Sequence, residues 1–251
     1  WNLLPVLSRL IMRAMRTAVR SLLREVARGT VGEASMRDVH CHILPGVDDG
    51  AADLAESLHM LEAAKAAGVT SIVCTPHCRD PYFDYAAMWS AYELLVSHAN
   101  GFPLQMGFEV NHAKLMDMGM EWADRLHFDG SNEFLLELST RAAPREFEVY
   151  ERTIFELQAK GYEVIIAHPE RYKAIQDDIS IAKRLVRMGC KLQASADFVK
   201  GGRFGRERRP AKRLFDAMLY RYIGSDAHCA QHYACLAKAC SSYRVRGAHA
   251  R

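Results

Sequence analysis

The sequence predicts an α/β protein with a single domain, most simply a seven-stranded (β/α) barrel. Short apolar runs of strand length alternate with helical stretches, which indicates a parallel sheet with right-handed crossovers. A histidine or an acidic residue stands at or just beyond the carboxyl end of every run, and in a barrel those ends meet at one mouth. The length of 251 residues also suits one barrel domain.

The strand-like runs are short, apolar and bounded by polar residues. In chain order they are RDVHCH (37–42), TSIVCTPH (70–77), LQMGFEVN (104–111), EFLLELS (133–139), EVIIAHPE (163–170), KLQASADF (191–198) and YRYIGSDAH (220–228). Helices are expected between them, over residues 53–67, 84–99, 145–160, 177–188 and 210–219. Three of these helices are followed by a glycine, which commonly ends a helix: Gly68, Gly161 and Gly189. An open doubly wound sheet is the alternative, but its outer strands could not reach a common site.

Residues 1–36 differ from the remaining domain, 37–251, and are expected to form a basic amphipathic N-terminal extension. Six arginines at spacings of three and four stand against two glutamates, which gives a net charge of +4, and Gly29 ends the helical pattern. Such a segment could contact a membrane surface or serve as a targeting peptide. The alternative is a solvated helix or an upstream extension, with Met36 as the start of the protein.

The composition excludes several classes of protein. The net charge of +3 gives little reason to expect nucleic acid as a partner. The seven cysteines are scattered and odd in number, so a disulfide framework is not expected. A reducing, cytoplasmic location is expected instead. No apolar run approaches the roughly 18 residues of a membrane-spanning helix. The inner face of the membrane is the alternative location if the N-terminal extension binds lipid.

The strand ends supply histidines and acids that could converge on one site. They are His40, His42, His77, Glu109, Glu137, His168, Asp197, Asp226 and His228. Closely spaced carboxylates repel one another, and buried ones need a partner or a metal ion. Imidazoles with carboxylates suit zinc, iron or manganese, and His40 and His42 can hold one ion because residues i and i+2 share a strand face. The joint arrangement predicts a site for several metal ions.

Phosphate ester hydrolysis is the chemistry that such a site suggests. Several ions a few ångström apart can activate water, orient a phosphate and stabilise the leaving oxygen. Arg171, in HPERY, lies just beyond a strand-end histidine and could make a bidentate contact with phosphate. A salt bridge to Glu170 or another acid is the alternative for Arg171, and Arg79 is a weaker second candidate.

Six motifs resemble one known family in order and spacing. DVHCHILPGVDDG, CTPH, GFEVN, LLELS, IIAHPERY and IGSDAH, within residues 37–228, resemble the metal-dependent protein-tyrosine phosphatases of the PHP (polymerase and histidinol phosphatase) superfamily, of the CpsB/CapC type of bacterial capsule and exopolysaccharide operons. The resemblance implies a distorted seven-stranded barrel of the PHP type and a cluster of three divalent ions, usually manganese. It implies a phosphotyrosine substrate, typically on a bacterial tyrosine kinase that controls polysaccharide export.

The resemblance also implies a role for each site residue. One ion would be held by His40, His42 and Asp226, with Glu109 as a bridge; a second by Glu109, Glu137 and His168; and a third by Asp49, His77 and His228. Arg171 matches the arginine that holds the phosphate and would act with Asp226 and His228 in catalysis. Hydroxide activated by the metal would attack directly, because an aryl phosphate needs little acid help to leave. Asp48 is expected to orient a ligand or cap the following turn, and to tolerate substitution better than Asp49.

The chain departs from the family beyond its last motif. The family often has an arginine a few residues after SDAH, whereas here none occurs before Arg244, and Tyr233 stands near the expected place. A second phosphate contact is therefore not accounted for by the sequence.

Three other functions are alternatives to this one. Cys240 and Arg246 have the spacing of a cysteine-dependent phosphatase, but CSSYRVR lacks an internal glycine and no strand precedes it. Another PHP-type phosphoesterase, such as a histidinol-phosphate phosphatase, would use nearly the same metal site. A barrel without activity could serve as a regulatory binding module. Homo-oligomers are common in the family, although the sequence shows no seam for one.

Overall fold

The computed structural model describes residues 36–246, so the predicted N-terminal extension lies outside the described residues except for Met36. Strands and helices alternate along this part of the chain, and all strand pairs are parallel. The strands are β1 (Met36–Cys41), β2 (Val69–Cys74), β3 (His77–Cys78), β4 (Leu104–Met106), β5 (Glu109–Asn111), β6 (Glu133–Glu137), β7 (Glu163–Ala167), β8 (Lys191–Ser195) and β9 (Tyr220–Gly224).

The five predicted helices are confirmed to within a few residues at each end. In chain order the α-helices are α1 (Leu54–Ala66), α2 (Tyr85–His98), α3 (His112–Met118), α4 (Ala123–Leu126), α5 (Phe147–Ala159), α6 (Lys173–Asp177), α7 (Ile179–Arg187), α8 (Arg208–Asp216) and α9 (Tyr233–Ser242). Asp53 caps α1 by accepting a hydrogen bond from the Glu56 amide. Gly161 and Gly189 end α5 and α7 with φ of 96° each, a left-handed conformation that favours glycine.

The prediction of a closed seven-stranded barrel is not confirmed. The ladders form two sheets among the described residues, one with the order β1-β2-β4 and one with the order β3-β5-β6-β7-β8-β9. Two predicted strands, 70–77 and 104–111, are each interrupted and contribute one short strand to each sheet. Pro76 cannot donate a ladder hydrogen bond. Gly107 runs so close to its neighbours that an added Cβ would lie 2.5 Å from Phe128.

Strands of both sheets nevertheless face one interior. Val39 of β1 and Val73 of β2 pack in a buried cluster with residues of β6 and β7, namely Leu135, Ile165 and Ala167, and with Phe128. The two sheets also approach each other beyond β9, where the Asp226 amide donates to the His40 carbonyl at 2.7 Å and the His42 amide donates to the Ala227 carbonyl at 2.9 Å. This approach brings the residues after β1 and β9 together.

The seven cysteines all lie within residues 36–246 and are unpaired, so no disulfide framework is present there. No helix among residues 36–246 is both long and apolar enough to cross a lipid bilayer.

Candidate metal centre

The structure brings the predicted metal ligands together. His40 is in β1 and His42 follows it, His77 begins β3, Glu109 begins β5, Glu137 ends β6, His168 follows β7, and Asp226 and His228 follow β9. Their side chains form three groups in which the ligand atoms lie within 4.8 Å of one another. The groups are His40, His42 and Glu109; Glu109, Glu137 and His168; and His42, Asp49, His77 and His228.

The first group is buried at the centre of the site. His40 Nε2 and His42 Nε2 lie 3.3 Å apart. Glu109 Oε1 lies 3.4 Å from His40 Nε2, and Glu109 Oε2 lies 3.5 Å from His42 Nε2. Asp226 Oδ1 approaches the same two nitrogens at 3.5 and 3.4 Å. The Nε2 atoms of both imidazoles thus lie within 3.5 Å of a Glu109 oxygen and of Asp226 Oδ1.

The other two groups share residues with the first. Glu109 Oε1 also lies 2.8 Å from His168 Nε2, which is 3.8 Å from Glu137 Oε1. Asp49 Oδ1 lies 3.1 Å from His77 Nε2 and 3.3 Å from His228 Nε2. These groups overlap the sets that the family resemblance implies, with two differences: Asp226 belongs to none of the three groups, and His42 also falls within the third.

A second layer of polar residues fixes the two central histidines. His42 Nδ1 lies 2.8 Å from Asp48 Oδ2, and His40 Nδ1 lies 3.0 Å from Gln193 Oε1. Both contacts occupy Nδ1, so the Nε2 atom of each ring is the one directed to the site. The sequence reasoning had not singled out Gln193, because an amide in the middle of a strand carries no distinctive pattern.

Asp48 contacts a ligand, which is one of the two roles expected of it, and also holds the neighbouring loop. Its carboxylate accepts hydrogen bonds from the His77 and Gly50 amides, each at 3.0 Å, in addition to the contact with His42. Gly50 is required in this turn, since an added Cβ would lie 2.0 Å from the His42 carbonyl oxygen. That Asp48 tolerates substitution better than Asp49 stays a prediction, although removal of its carboxylate would leave two amides and one imidazole nitrogen without their acceptor.

Two site residues have an unusual backbone. His168 has φ of 30° and Asp226 has φ of 48°, which for residues other than glycine is a sparsely populated, left-handed conformation. Such conformations cost of order 1–3 kcal/mol and persist where surrounding contacts enforce them, often at functional sites. Here the backbone of both residues is held, since the His168 amide donates to Gln193 Oε1 at 3.3 Å and the Asp226 amide to the His40 carbonyl.

The carboxylates strongly perturb the neighbouring imidazoles. Burial lowers the pKa of His40 and of His77, but the neighbouring carboxylates, Glu109 foremost, together outweigh it and raise these pKa values to about 9 and about 10. Burial would raise the pKa of Glu109, whereas the charges of His40 and His77 bring it well below its usual value. The buried acids thus require positive charge beside them, which protonated imidazoles or divalent cations can supply.

The donor atoms fit a metal cluster. Asp49 Oδ1, Glu109 Oε2 and His228 Nε2 are buried and make no hydrogen bond within residues 36–246. His77 Nδ1 and Glu109 Oε2 lie only 2.7 Å apart, yet they too lack the angles of a hydrogen bond. Buried donor atoms that converge without hydrogen bonds are unusual, and mixed nitrogen and oxygen ligands suit zinc, iron or manganese.

Arg171 is buried beside this centre in a short 3₁₀ helix, Pro169–Arg171. Its Nη2 lies 2.6 Å from Asp226 Oδ2 and 3.1 Å from Asp197 Oδ2, while its Nε has no hydrogen-bond partner within the described residues. The alternative of a salt bridge to Glu170 or another acid is confirmed in its second form, since Arg171 pairs with Asp226 and Asp197. Glu170 instead accepts from the Ser195 amide and the Tyr220 hydroxyl. Asp197 is thus a partner of Arg171 rather than a member of the three ligand groups.

A cavity of about 640 Å³ opens beside Asp49, Asp226 and His228. Three cationic side chains line it, namely Arg171, Lys200 and Arg203. Tyr233, which stands near the family's second arginine in sequence, is instead buried. Lys200 and Arg203 were missed by the sequence reasoning, although the basic and glycine-rich stretch KGGRFGRERR could have drawn attention to them.

The structure contradicts the cysteine-dependent alternative. Cys240 lies within α9, where helical backbone cannot wrap its amides around a phosphate. Burial raises the pKa of the Cys240 thiol to about 11, so that it is not a nucleophilic thiolate near neutral pH. Arg246, the proposed partner, donates its backbone amide to the Tyr220 carbonyl.

Comparison with known proteins adds an independent line of observation. A family model described as capsular polysaccharide synthesis, CpsB/CapC, matches residues 36–249. The tyrosine-protein phosphatase YwqE of Bacillus subtilis (strain 168) is 32% identical over 200 residues, covering 77% of each chain. The tyrosine-protein phosphatase CpsB of Streptococcus pneumoniae is 26% identical over 204 residues, covering 77% of this chain and 83% of that protein.

A solved structure extends the similarity to the fold. It belongs to work on YwqE from Bacillus subtilis and CpsB from Streptococcus pneumoniae, described as unique metal-dependent tyrosine phosphatases. It superposes with a TM-score of 0.67 at 30% sequence identity and covers 81% of this chain and 87% of that chain.

Proposed function

This chain belongs to the CpsB/CapC family of capsular polysaccharide synthesis, and from that premise we propose that it is a metal-dependent tyrosine-protein phosphatase. The observation that carries the proposal is the convergence of three ligand groups that share Glu109 and His42, beside a cavity lined by Asp49, His228 and the buried Arg171. Membership of the family supports the class of reaction. The arrangement of the ligand groups and of Arg171 supports the presence of that activity in this chain. The arrangement of both sheets around one interior is consistent with a distorted seven-stranded barrel of the PHP type.

The metal cluster is proposed to hold three divalent ions, with manganese as the expected metal and iron or zinc as alternatives. Its ligands are His40, His42, Asp49, His77, Glu109, Glu137, His168, Asp226 and His228. When bound, such ions supply activated water and positive charge for the phosphate oxygens.

The protein's own groups then bind and orient the phosphate. Arg171 stays charged, because the carboxylates of Asp226 and Asp197 raise its pKa in spite of burial, and its unpaired Nε can donate to a phosphate oxygen. Asp226 holds the guanidinium in place through its second oxygen. His228 lines the cavity beside the place proposed for the phosphate. Arg203, on the same cavity, is proposed to supply the second cation that the segment after SDAH lacks.

The natural substrate is proposed to be a phosphotyrosine-bearing bacterial tyrosine kinase that regulates capsular or exopolysaccharide synthesis, dephosphorylated in the cytoplasm. The support is the family's description as capsular polysaccharide synthesis and the phosphatase names of its relatives. Peripheral membrane contact through residues 1–36 and assembly into a homo-oligomer remain part of the proposal. Deletion of residues 1–36 should lower liposome binding, and unchanged binding would argue against the membrane contact.

Turnover of p-nitrophenyl phosphate and of a phosphotyrosine peptide tests the activity directly. Chelation should abolish hydrolysis of both, and added manganese should restore it. His42→Ala should be inactive because it removes a ligand shared by two groups, whereas Cys240→Ser should retain activity. A folded, manganese-loaded protein that hydrolyses neither compound would refute the enzyme and favour an inactive regulatory barrel. Faster hydrolysis of histidinol phosphate than of the peptide would instead favour another PHP-type phosphoesterase.

A further inference from the structure

A basic loop borders the cavity, and we define it as residues 200–209. Its charged side chains are exposed except for one, Glu207. The exposed cations are Lys200, Arg203, Arg206, Arg208 and Arg209. Such a density of like charge on one short, exposed segment creates a positive potential that attracts anions.

Glu207 does not neutralise these cations. Its side chain is fully buried and accepts hydrogen bonds from the Phe204 amide at 3.0 Å and from the Arg206 amide at 2.8 Å. Gly202 passes so close that an added Cβ would lie 2.4 Å from a Glu207 oxygen. The single acid of the basic loop therefore holds the backbone in its turn and leaves the arginine side chains outside.

The cations of the basic loop are also without ion pairs to the rest of the described chain, apart from one contact. Arg203 Nη2 lies 3.7 Å from Asp49 Oδ2, and its side chain is about half exposed (48%), so this contact is weak. Arg208 and Arg209 occupy the first turn of α8, where positive charge opposes the helix dipole. These arginines thus do not serve the stability of their own helix.

The basic loop is continuous with the proposed active site. Lys200, Gly202 and Arg203 line the cavity that also contains Arg171, and the chain then continues outward to Arg206. A peptide whose phosphotyrosine enters this cavity must place its neighbouring residues at the cavity rim. The anions that meet the basic loop would be those next to the phosphotyrosine.

We propose that the basic loop binds acidic residues that flank the phosphotyrosine of the protein substrate, so that the enzyme prefers phosphotyrosines in acidic segments. The inference rests on the proposed function and names the substrate class that its site selects. Each pairing of an exposed arginine with a carboxylate is weak, but several acting together raise the rate of productive encounter.

Two phosphotyrosine peptides that differ only in their flanking residues provide the test. One carries aspartate and glutamate on both sides, and the other carries asparagine and glutamine at the same positions. With the full-length, manganese-loaded protein at low salt, kcat/KM for the acidic peptide should be roughly tenfold higher. The preference should shrink as potassium chloride is added, because salt screens exposed charges.

The triple variant Arg206→Gln/Arg208→Gln/Arg209→Gln should bring the ratio of the two kcat/KM values close to one. Arg208 and Arg209 are exposed in α8, and Arg206 is exposed before it, so the fold should be retained.

A matched control removes the same charge elsewhere. Arg152→Gln/Lys183→Gln/Arg187→Gln alters three exposed cations on α5 and α7 that have no ion pair within residues 36–246. This control variant should keep the preference for the acidic peptide. If it loses as much of that preference as the triple variant of the basic loop, the effect comes from net charge and the proposal is overturned.

The remaining outcomes separate this proposal from the proposed function. Equal and salt-independent kcat/KM for both peptides would refute the docking role and leave the phosphatase intact. Absence of hydrolysis with either peptide would refute the phosphatase itself. Equal kcat/KM together with loop-dependent binding to phosphatidylglycerol vesicles would assign the basic loop to anionic lipid and also overturn the proposal.

Discussion

At the residue scale, Asp48 shows how a buried second layer governs the ligands. Asp48 accepts from His42 Nδ1 and from the His77 amide, so it fixes one imidazole and the loop of another. Such outer partners set the orientation and basicity of a ligand, and their loss commonly costs 10–100-fold in metal affinity. Its neighbour Asp49 instead belongs to a ligand group, because Asp49 Oδ1 lies beside the Nε2 atoms of His77 and His228.

Asp48→Ala should therefore weaken manganese binding by about 10–100-fold. The change leaves the His42 Nδ1–H and the His77 amide without their acceptor. Calorimetric titration of the metal-free protein measures the affinity independently of activity. Asp48→Asn, which keeps an acceptor oxygen, should recover part of the affinity, and an affinity equal to wild type in Asp48→Ala would contradict this role.

The position of Arg171 predicts a different kinetic signature. Arg171→Lys should keep the positive charge but lose the planar fork that contacts Asp226 and a phosphate, and kcat/KM for a phosphotyrosine peptide should fall about 100-fold. Steady-state kinetics separates kcat from KM. Arg152→Lys, at an exposed position on α5, serves as the matched control and should leave both constants unchanged. A kcat/KM equal to wild type in Arg171→Lys would show that the Arg171 guanidinium does not bind the phosphate.

At the element scale, the site depends on how the ends of neighbouring strands are fastened. Tyr172 is fully buried after β7, donates to the Ala167 carbonyl at 2.6 Å and accepts from the Leu138 amide at 3.0 Å. These two bonds connect the ends of β6 and β7, where Glu137 and His168 are located. The hydroxyl is thus part of the frame that holds the second ligand group.

Tyr172→Phe should lower the free energy of unfolding by about 1–3 kcal/mol, because it removes both bonds and leaves the buried Leu138 amide unpaired. Urea denaturation measures the change. Tyr162→Phe is the matched control, since the Tyr162 hydroxyl contacts Asp124 at the surface and its loss should cost less than about 1 kcal/mol. Equal effects of the two variants would show that Tyr172 does not fasten the strands.

The strand interruptions are an element-scale feature that periodicity could not reveal. Runs 70–77 and 104–111 read as single strands because their apolar character is continuous through Pro76 and Gly107. Whether a ladder continues through such a position depends on the neighbouring strand, which the sequence does not place. The helix ends can be predicted from the sequence more readily, because caps such as Asp53 and terminating glycines such as Gly161 act on residues within one helical turn.

At the scale of the whole molecule, the charge balance of the site links stability to metal and to pH. In the metal-free protein the pKa values of His40 and His77 are raised to about 9 and about 10, above the usual value of 6.5. Stabilisation from a raised imidazole pKa is complete below about pH 6.5 and is lost as the pH rises through the folded-state pKa. The protonated rings therefore stabilise the metal-free protein near neutral pH but not in alkali.

The metal-free protein should lose roughly 2–5 kcal/mol of unfolding free energy between about pH 7 and pH 10. The manganese-loaded protein should lose much less, because the metal needs neutral imidazoles and replaces their protons. Denaturation at a series of pH values, with chelator and with manganese, measures both. A parallel loss in the two forms would show that the histidines do not exchange protons for metal.

The sequence by itself determined the alternation of strands and helices, the ends of five helices to within a few residues, and most of the residues that meet at the site. Those properties depend on periodicity, caps and strand-end position, which are local. Only the tertiary structure decided that two sheets form, that Asp48 and Gln193 fix the central histidines, and that Arg203 rather than Tyr233 borders the cavity. Each of these depends on contacts between segments far apart in the chain, whose distances and orientations only the packed fold establishes.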